Sequence, residues 1–266
     1  MRMNILITND DGIDSPGLWA LAEALCRVGS VQVMAPDKQQ SGSGTGVTMT
    51  RGGVFITEAQ SRISAVQASS VNGTPADCVF LALRRQPRVH IDLLVSGINL
   101  GPNVGHDIPY SGTVMATLAG HFLHIPSMAV SLAVRDFKEE MQFDAAGRVA
   151  ESLARCIEKS AMPTEAILNV NVPNILPNMI KGILVTRAIG MWYRPGNATK
   201  DAVVSGETRT TRPEEGKLEE GTDIWALNEG YVSITPLHFD VTYHELLPEI
   251  SRCVQDIGCE FDKNRG

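Results

Sequence analysis

At 266 residues, with 23 lysines and arginines against 30 aspartates and glutamates, the chain carries a net charge of -7, with a sequence pI near 5.4, which argues against a general nucleic-acid or membrane-binding surface. A hydrophobic content of 43% is ordinary for a globular protein, and the length accommodates one large domain or two small ones. The five cysteines (26, 78, 156, 253 and 259) form no CxxC pair, no signal peptide precedes the first strand, and no run approaches the roughly 18 apolar residues of a membrane helix, so a cytoplasmic protein with reduced thiols is expected.

Ile5-Leu6-Ile7 is a short apolar run that leads into Thr8-Asn9-Asp10-Asp11-Gly12. Two adjacent carboxylates at the carboxyl end of an opening strand lie where open α/β sheets bind their ligands. They repel each other and need a compensating cation, and oxygen ligands suit Mg²⁺ or Mn²⁺. The same Asp-Asp-Gly is also good turn chemistry. Ser15-Pro16 then marks a helix start, with Leu18, Leu21, Ala22 and Leu25 at helical spacing and Gly29 as its end. Val31 to Ala35 reads as the next strand, and this strand–helix–strand unit predicts a parallel sheet with a right-handed crossover.

The second strand empties into Ser41-Gly42-Ser43-Gly44-Thr45-Gly46, an amide-rich loop that is neither GxGxxG nor a Walker A loop. Taken alone it is a flexible linker. Val54 to Ala68 suggests a hairpin, and Thr74-Pro75 starts a helix through Leu83. Leu93-Leu94-Val95 is a buried strand opening into a long polar loop from Ser96 to Asp107, and such loops in compact domains are more often functional than filler. Ser111-Gly112-Thr113 ends it, and the helix from Val114 to Leu123 offers free N–H groups at its start, a seat for phosphate. Met128 to Val130, Ile167 to Val172, Ile183 to Thr186 and Tyr231 to Pro236 read as strands. Ala145 to Ser160 and His244 to Ile257 read as helices. Between them, residues 189–223 are too polar for core and project as an arm, whose Met191, Trp192 and Tyr193 fit a subunit contact.

Three strand ends therefore carry unusual loops, and in a doubly wound sheet these converge at one crevice. Two carboxylates, a hydroxyl and an amide oxygen form a hard, partly open coordination set, and a cation held there would polarise a phosphoryl oxygen. Loop amides and the helix start stabilise negative charge on the transferring group. His106 and Asp107 are either a general base pair or a hydrogen bond that shapes the loop.

The stretch Ile5 to Gly12, the Ser41–Gly46 loop, Asn72-Gly73-Thr74-Pro75-Ala76-Asp77-Cys78, and Val95 to Asn99 through Tyr110-Ser111-Gly112-Thr113 resemble the survival protein SurE family, and Tyr231 to Leu237 continues the match. The resemblance implies a Rossmann-like α/β fold with a doubly wound, mostly parallel sheet. It implies one domain over 1–266, with a β-rich arm at 189–223 and a C-terminal extension at 237–266. The implied activity is hydrolysis of nucleoside 5′- and 3′-monophosphates with one divalent cation, Mg²⁺ or Mn²⁺. Implied metal ligands are Asp10, Asp11, Ser41 and Asn99, the two aspartates being also catalytic; implied phosphate contacts are Ser43, Asn103, Ser111, Gly112 and Thr113. A homodimer or homotetramer follows, with no membrane and no stable nucleic-acid partner. The chain departs from the family at Ala119, where an acid often precedes the glycine. Competing classes are a nucleotide-binding regulatory module and a phosphatase of the haloacid dehalogenase type, whose two acids are separated by one residue instead of adjacent. A nicotinamide oxidoreductase fails on the missing glycine fingerprint.

Overall fold

The computed structural model describes residues 2–85, 90–134, 136, 138–163, 165–188 and 218–254. In chain order the elements are β1 (Met3–Thr8), α1 (Pro16–Leu25), β2 (Gly29–Pro36), β3 (Ile56–Glu58), β4 (Gln67–Val71), α2 (Pro75–Arg84), β5 (Leu93–Leu100), α3 (Gly112–His121), β6 (Ser127–Ala133), α4 (Phe143–Glu158), β7 (Ile167–Pro173), β8 (Ile183–Val185), α5 (Asp223–Asn228) and β9 (Val232–Leu237). The described strands form one sheet in the order β3-β4-β2-β1-β5-β6-β7-β9-β8. From β4 to β7 every pairing is parallel. The outer pairs β3–β4 and β7–β9 are antiparallel. This is the Rossmann-like, doubly wound sheet expected. Its strand order reverses at β1, between β2 and β5, which is where such sheets open a binding crevice.

Alternation along the strands builds two cores. Ile5 and Ile7 of β1 join Val33, Val95, Val130 and Val170 beneath α1 and α4. Leu6 points the other way and packs with Met34, Leu94, Cys78 and Ala116 beneath α2 and α3. Helix α1 shows what decides its position. Leu18, Leu21 and Leu25 are fully buried, each worth ~2 kcal/mol of transfer free energy. Ser15 occupies the N-cap as expected, yet its hydroxyl makes no capping bond, a contribution typically of only ~1 kcal/mol. Packing sets this helix.

Several boundaries differ from the sequence reading. Gly29 does not end α1 but opens β2, where a Cβ would lie 2.2 Å from the Met3 carbonyl oxygen; the glycine permits a close strand pairing. β5 runs past Val95 to Leu100, so Asn99 lies on a strand end and not within a loop. Gly97 allows this extension, since a Cβ there would sit 2.2 Å from the Val130 carbonyl oxygen. Helix α4 begins two residues earlier than periodicity placed it, at Phe143. The hairpin is present as β3–β4, with β4 running on to Val71. The C-terminal helix is seen as a 3-10 turn at His244–Leu246 and helical residues 247–254. The arm with Met191, Trp192 and Tyr193 falls almost wholly at 189–217, outside the described residues.

Candidate functional site

The turn after β1 is closed by Asn9 and Gly12. Asn9 Nδ2 donates to the Gly12 carbonyl at 3.0 Å, and the Gly12 amide donates back to Asn9 Oδ1 at 3.2 Å. Gly12 takes φ 96°, a region that favours glycine. The turn is therefore made by its two flanking residues, which leaves both aspartate side chains for other work. Turn and ligand readings of this stretch are compatible.

Asp10 is 4% exposed and accepts from both the hydroxyl and the amide of Thr113, at 2.5 and 3.1 Å. Burial raises its pKa, and the Thr113 bonds offset that in part. Asp11 is half-buried; burial first and the Asp10 charge second push its carboxyl up to about 6, against a 3.2 Å bond from the Leu100 amide. Both shifts have the same leading cause: burial disfavours the charged form of each carboxyl.

The other donors are brought in through their chain neighbours. The Gln40 amide donates to the Asp10 carbonyl at 2.6 Å, which ties the residue before Ser41 to the turn that carries the acids. The Leu100 bond to Asp11 does the same for the residue after Asn99. Asn99 commits its Nδ2 to the Gly101 carbonyl at 2.8 Å, so its oxygen is the amide atom left to present. Ser41 is exposed, and its Oγ accepts from Gln39 Nε2 at 3.0 Å. Two hard carboxylates whose charged forms repel, flanked by neutral oxygens, fit a divalent cation of the Mg²⁺ or Mn²⁺ kind. Among the described residues, no group of three or more His, Cys, Asp or Glu offers a rival metal site.

Next to the acids lies the start of α3. Ser111 is its N-cap and its Oγ accepts from the Val114 amide at 3.1 Å. Gly112 is packed so closely that a Cβ would fall 2.5 Å from Ser43 Oγ, 2.8 Å from Asp10 Cβ and 3.0 Å from Asp10 Oδ2. Ser43 Oγ is buried without a hydrogen-bond partner. A buried, unpaired hydroxyl costs free energy, so it is an atom that a ligand oxygen would satisfy. Thr113 gives both of its donors to Asp10, and the Gly112 amide also lowers the pKa of that carboxyl. The Gly44 amide, bonded to the Tyr110 carbonyl at 3.0 Å, joins the glycine loop to the 3-10 turn Gly105–Tyr110 that leads into α3.

Asn103 sits farther along, buried against β6 and β7. Its Nδ2 donates to Ser131 Oγ at 2.8 Å, its amide to Asn171 Oδ1 at 2.8 Å, and its carbonyl accepts from Asn169 and Asn171 at 2.8 and 3.1 Å. His106 is exposed, while Asp107 is half-buried, its carboxyl raised by burial and lowered by the His106 charge.

Sequence reasoning missed the residues beneath the loops. Asp77 in α2 accepts from the Thr48 hydroxyl and amide, the Met49 amide and the Thr74 amide. Asp223 at the start of α5 accepts from the Gly105 amide at 2.8 Å. Signals existed for some of these: Thr74-x-x-Asp77 is a capping box, and two asparagines inside a fully buried strand are unusual.

Comparisons with known proteins show what the chain as a whole is similar to. The family model described as "Survival protein SurE" matches residues 5–194. A protein of Thermus thermophilus named 5'-nucleotidase SurE 1 is 41% identical over 262 residues, covering 96% of this chain and 99% of its own. One named 5'/3'-nucleotidase SurE from Escherichia coli O1:K1 / APEC is 40% identical over 259 residues, covering 96% and 98%. The crystal structure of the SurE protein from Aquifex aeolicus superposes with a TM-score of 0.76 at 36% identity, over 94% of this chain and 99% of that one.

Proposed function

Because the chain belongs to the survival protein SurE family, we propose that it is a phosphomonoesterase that hydrolyses nucleoside 5′- and 3′-monophosphates to nucleoside and inorganic phosphate. The names 5'-nucleotidase and 5'/3'-nucleotidase borne by relatives at 41% and 40% identity support the substrate class. The observation that carries the reading is at Gly112, where a buried carboxylate and an unpartnered hydroxyl meet at the start of a helix.

One divalent cation, Mg²⁺ or Mn²⁺, would be held by Asp10, Asp11, Ser41 and Asn99, and would supply charge neutralisation at a phosphoryl oxygen. The chain's own residues do the rest. Ser43 and the amide of Gly112 face the phosphate, Ser111 fixes the helix start, and Asn103 lines the loop leading to it. Thr113 serves the phosphate indirectly by locking the Asp10 carboxylate. A water oxygen attacks phosphorus, the ester P–O bond breaks, and the leaving nucleoside oxygen takes up a proton. Asp11, the less buried acid, is placed to accept the proton lost by the water. Asp10 is a poor nucleophile in this geometry because both of its oxygens already accept from Thr113, which disfavours a haloacid dehalogenase type of chemistry.

The expected outcome is release of inorganic phosphate from both 5′- and 3′-nucleotides in Mn²⁺ or Mg²⁺. Release that persists after chelation of divalent ions would overturn the cation dependence. A cytoplasmic location fits the free thiols among the described residues and their lack of any helix long and apolar enough to cross a membrane. A homodimer or homotetramer is supported by the C-terminal extension, where Leu247, Ile250 and Val254 recur at helical spacing and are 49%, 54% and 50% exposed. Light scattering that returned a monomer at micromolar concentration would remove that reading.

A further inference from the structure

One face of β6 and β7 changes character along its length. Ala129 and Ile167 are apolar and pack under α3 with Val114, Met115 and Ile108. Farther on, the same face presents Ser131, Asn169 and Asn171, all fully buried. The segment from Asn103 to Gly105 lies over this polar end. Asn171 and Asn169 take both backbone groups of Asn103, and Ser131 holds its side chain. Asp223, also fully buried, receives the Gly105 amide at 2.8 Å and its own Ile224 amide at 2.9 Å. Side chains thus supply the hydrogen bonds that a strand partner would otherwise give this segment.

A buried carboxylate and two buried amides are costly components that a plain core would avoid. Here they meet at one segment, which continues through the 3-10 turn into Ser111 and Gly112. We propose that Asp223, together with Ser131, Asn169 and Asn171, is a set of positioning residues that fixes the phosphate-binding loop. Through Gly105 and Asn103 they set where the start of α3, at Ser111 and Gly112, stands relative to Asp10. None of the four touches the substrate. This inference rests on the phosphomonoesterase reading for its purpose, but its physical content is the affinity of the loop for phosphate.

The test therefore reads phosphate directly. Inorganic phosphate is titrated calorimetrically into the full chain in Mn²⁺, with Mn²⁺ affinity and Tm measured on the same preparation. Asp223→Ala and Ser131→Ala should each weaken phosphate binding by about tenfold or more, because small misplacements of a pre-set site are expensive, while Mn²⁺ affinity stays at the wild-type value. Asp223→Asn keeps the shape and an acceptor oxygen for Gly105, and should remain within about threefold of wild type. In nucleotide hydrolysis the alanine variants should raise KM more than they lower kcat. If Asp223→Ala does not fold, Ser131→Ala carries the test and Asp223→Asn serves as its conservative control. A fall in Tm with unchanged phosphate affinity in Ser131→Ala, or in a folded Asp223→Ala, would overturn the proposal. Failure of the wild type to hydrolyse nucleotides would instead sink the function above and leave the phosphate titration to judge the positioning set.

Discussion

The loop at 41–49 and the segment at 101–110 reach Asp10 from the two strands that flank β1, and each is tied to a buried aspartate in the first turn of a helix. Asp77 takes the Thr48 hydroxyl at 2.5 Å and the Thr48 and Met49 amides at 3.0 and 3.1 Å, while the tip at Ser41, Gly42 and Thr45 stays exposed. Along the second segment, Asn103, Val104, Gly105 and Ile108 are buried; side chains from β7 and α5 bind its backbone and Ser131 of β6 binds the Asn103 side chain. The first loop is thus anchored at its root and open at its tip; the second is held along its length. A site that takes a soluble substrate and places its phosphate needs both an accessible wall and a fixed one, and the two loops divide those tasks.

The comparison breaks most sharply at Gly112, where the loops touch. Gly112→Ala would force a Cβ to within 2.5 Å of Ser43 Oγ and 2.8 Å of Asp10 Cβ, separating the two walls. Loss of kcat/KM by about a hundredfold or more is expected from a displacement of this size, together with a lower Tm from overpacking a buried site. Near-normal kinetics would show that Ser43 and Gly112 do not act together.

A smaller effect is expected at the root of the open loop. Asp77→Asn turns two donor hydrogens toward the amides that now donate to the carboxylate, and should cost on the order of 3 kcal/mol in stability. Burial by itself raises the Asp77 pKa, but the hydrogen bonds from the Thr48 hydroxyl and the Thr74, Met49 and Thr48 amides outweigh it, so the net value lies below 3.8. A depressed folded-state pKa contributes stability that is fully present above the unfolded value and fades as pH falls through the folded one. The Tm gap between wild type and Asp77→Asn should hold at neutral pH and shrink below pH 3.8. A gap independent of pH would mean that shape, not charge, anchors this loop.

The mildest change belongs to the tip. Gly42 has φ 75°, and a Cβ added there would find nothing within 4 Å, so Gly42→Ala meets no neighbour and carries only backbone strain. About 1 kcal/mol of stability is the expected cost, with phosphate release within a few-fold of wild type. A large loss of activity would show that the tip must move during turnover.

How much of this was legible in the sequence follows from where each partner lies along the chain. The opening strand, the helix started by Thr74-Pro75 and the helix start at Ser111-Gly112-Thr113 are local patterns, and in the structure β1 ends at Thr8, α2 begins at Pro75 and α3 at Gly112. Asp77 was within reach, since its role follows from a box only three residues long, although the sequence did not show that the same carboxylate also binds Thr48. Asp223 was out of reach. Its partner Gly105 lies 118 positions away, and no periodicity or spacing rule connects residues that far apart. Ser96 to Asn99 misled because glycine and polar residues normally end a strand, whereas Gly97 is the residue that lets β5 pass close to Val130.

The late position of Asp223 also bears on how the site comes into being. Chains are made from the amino terminus onward, so all four candidate cation donors, Asp10, Asp11, Ser41 and Asn99, have been joined by residue 99. The proposed phosphate seat is complete in sequence by Thr113, yet the carboxylate that receives Gly105 is added only after another hundred residues and more. A growing chain therefore owns its acids long before it owns the brace for the loop above them. The finished geometry waits on Asp223, which ribosomes add long after the segment it braces.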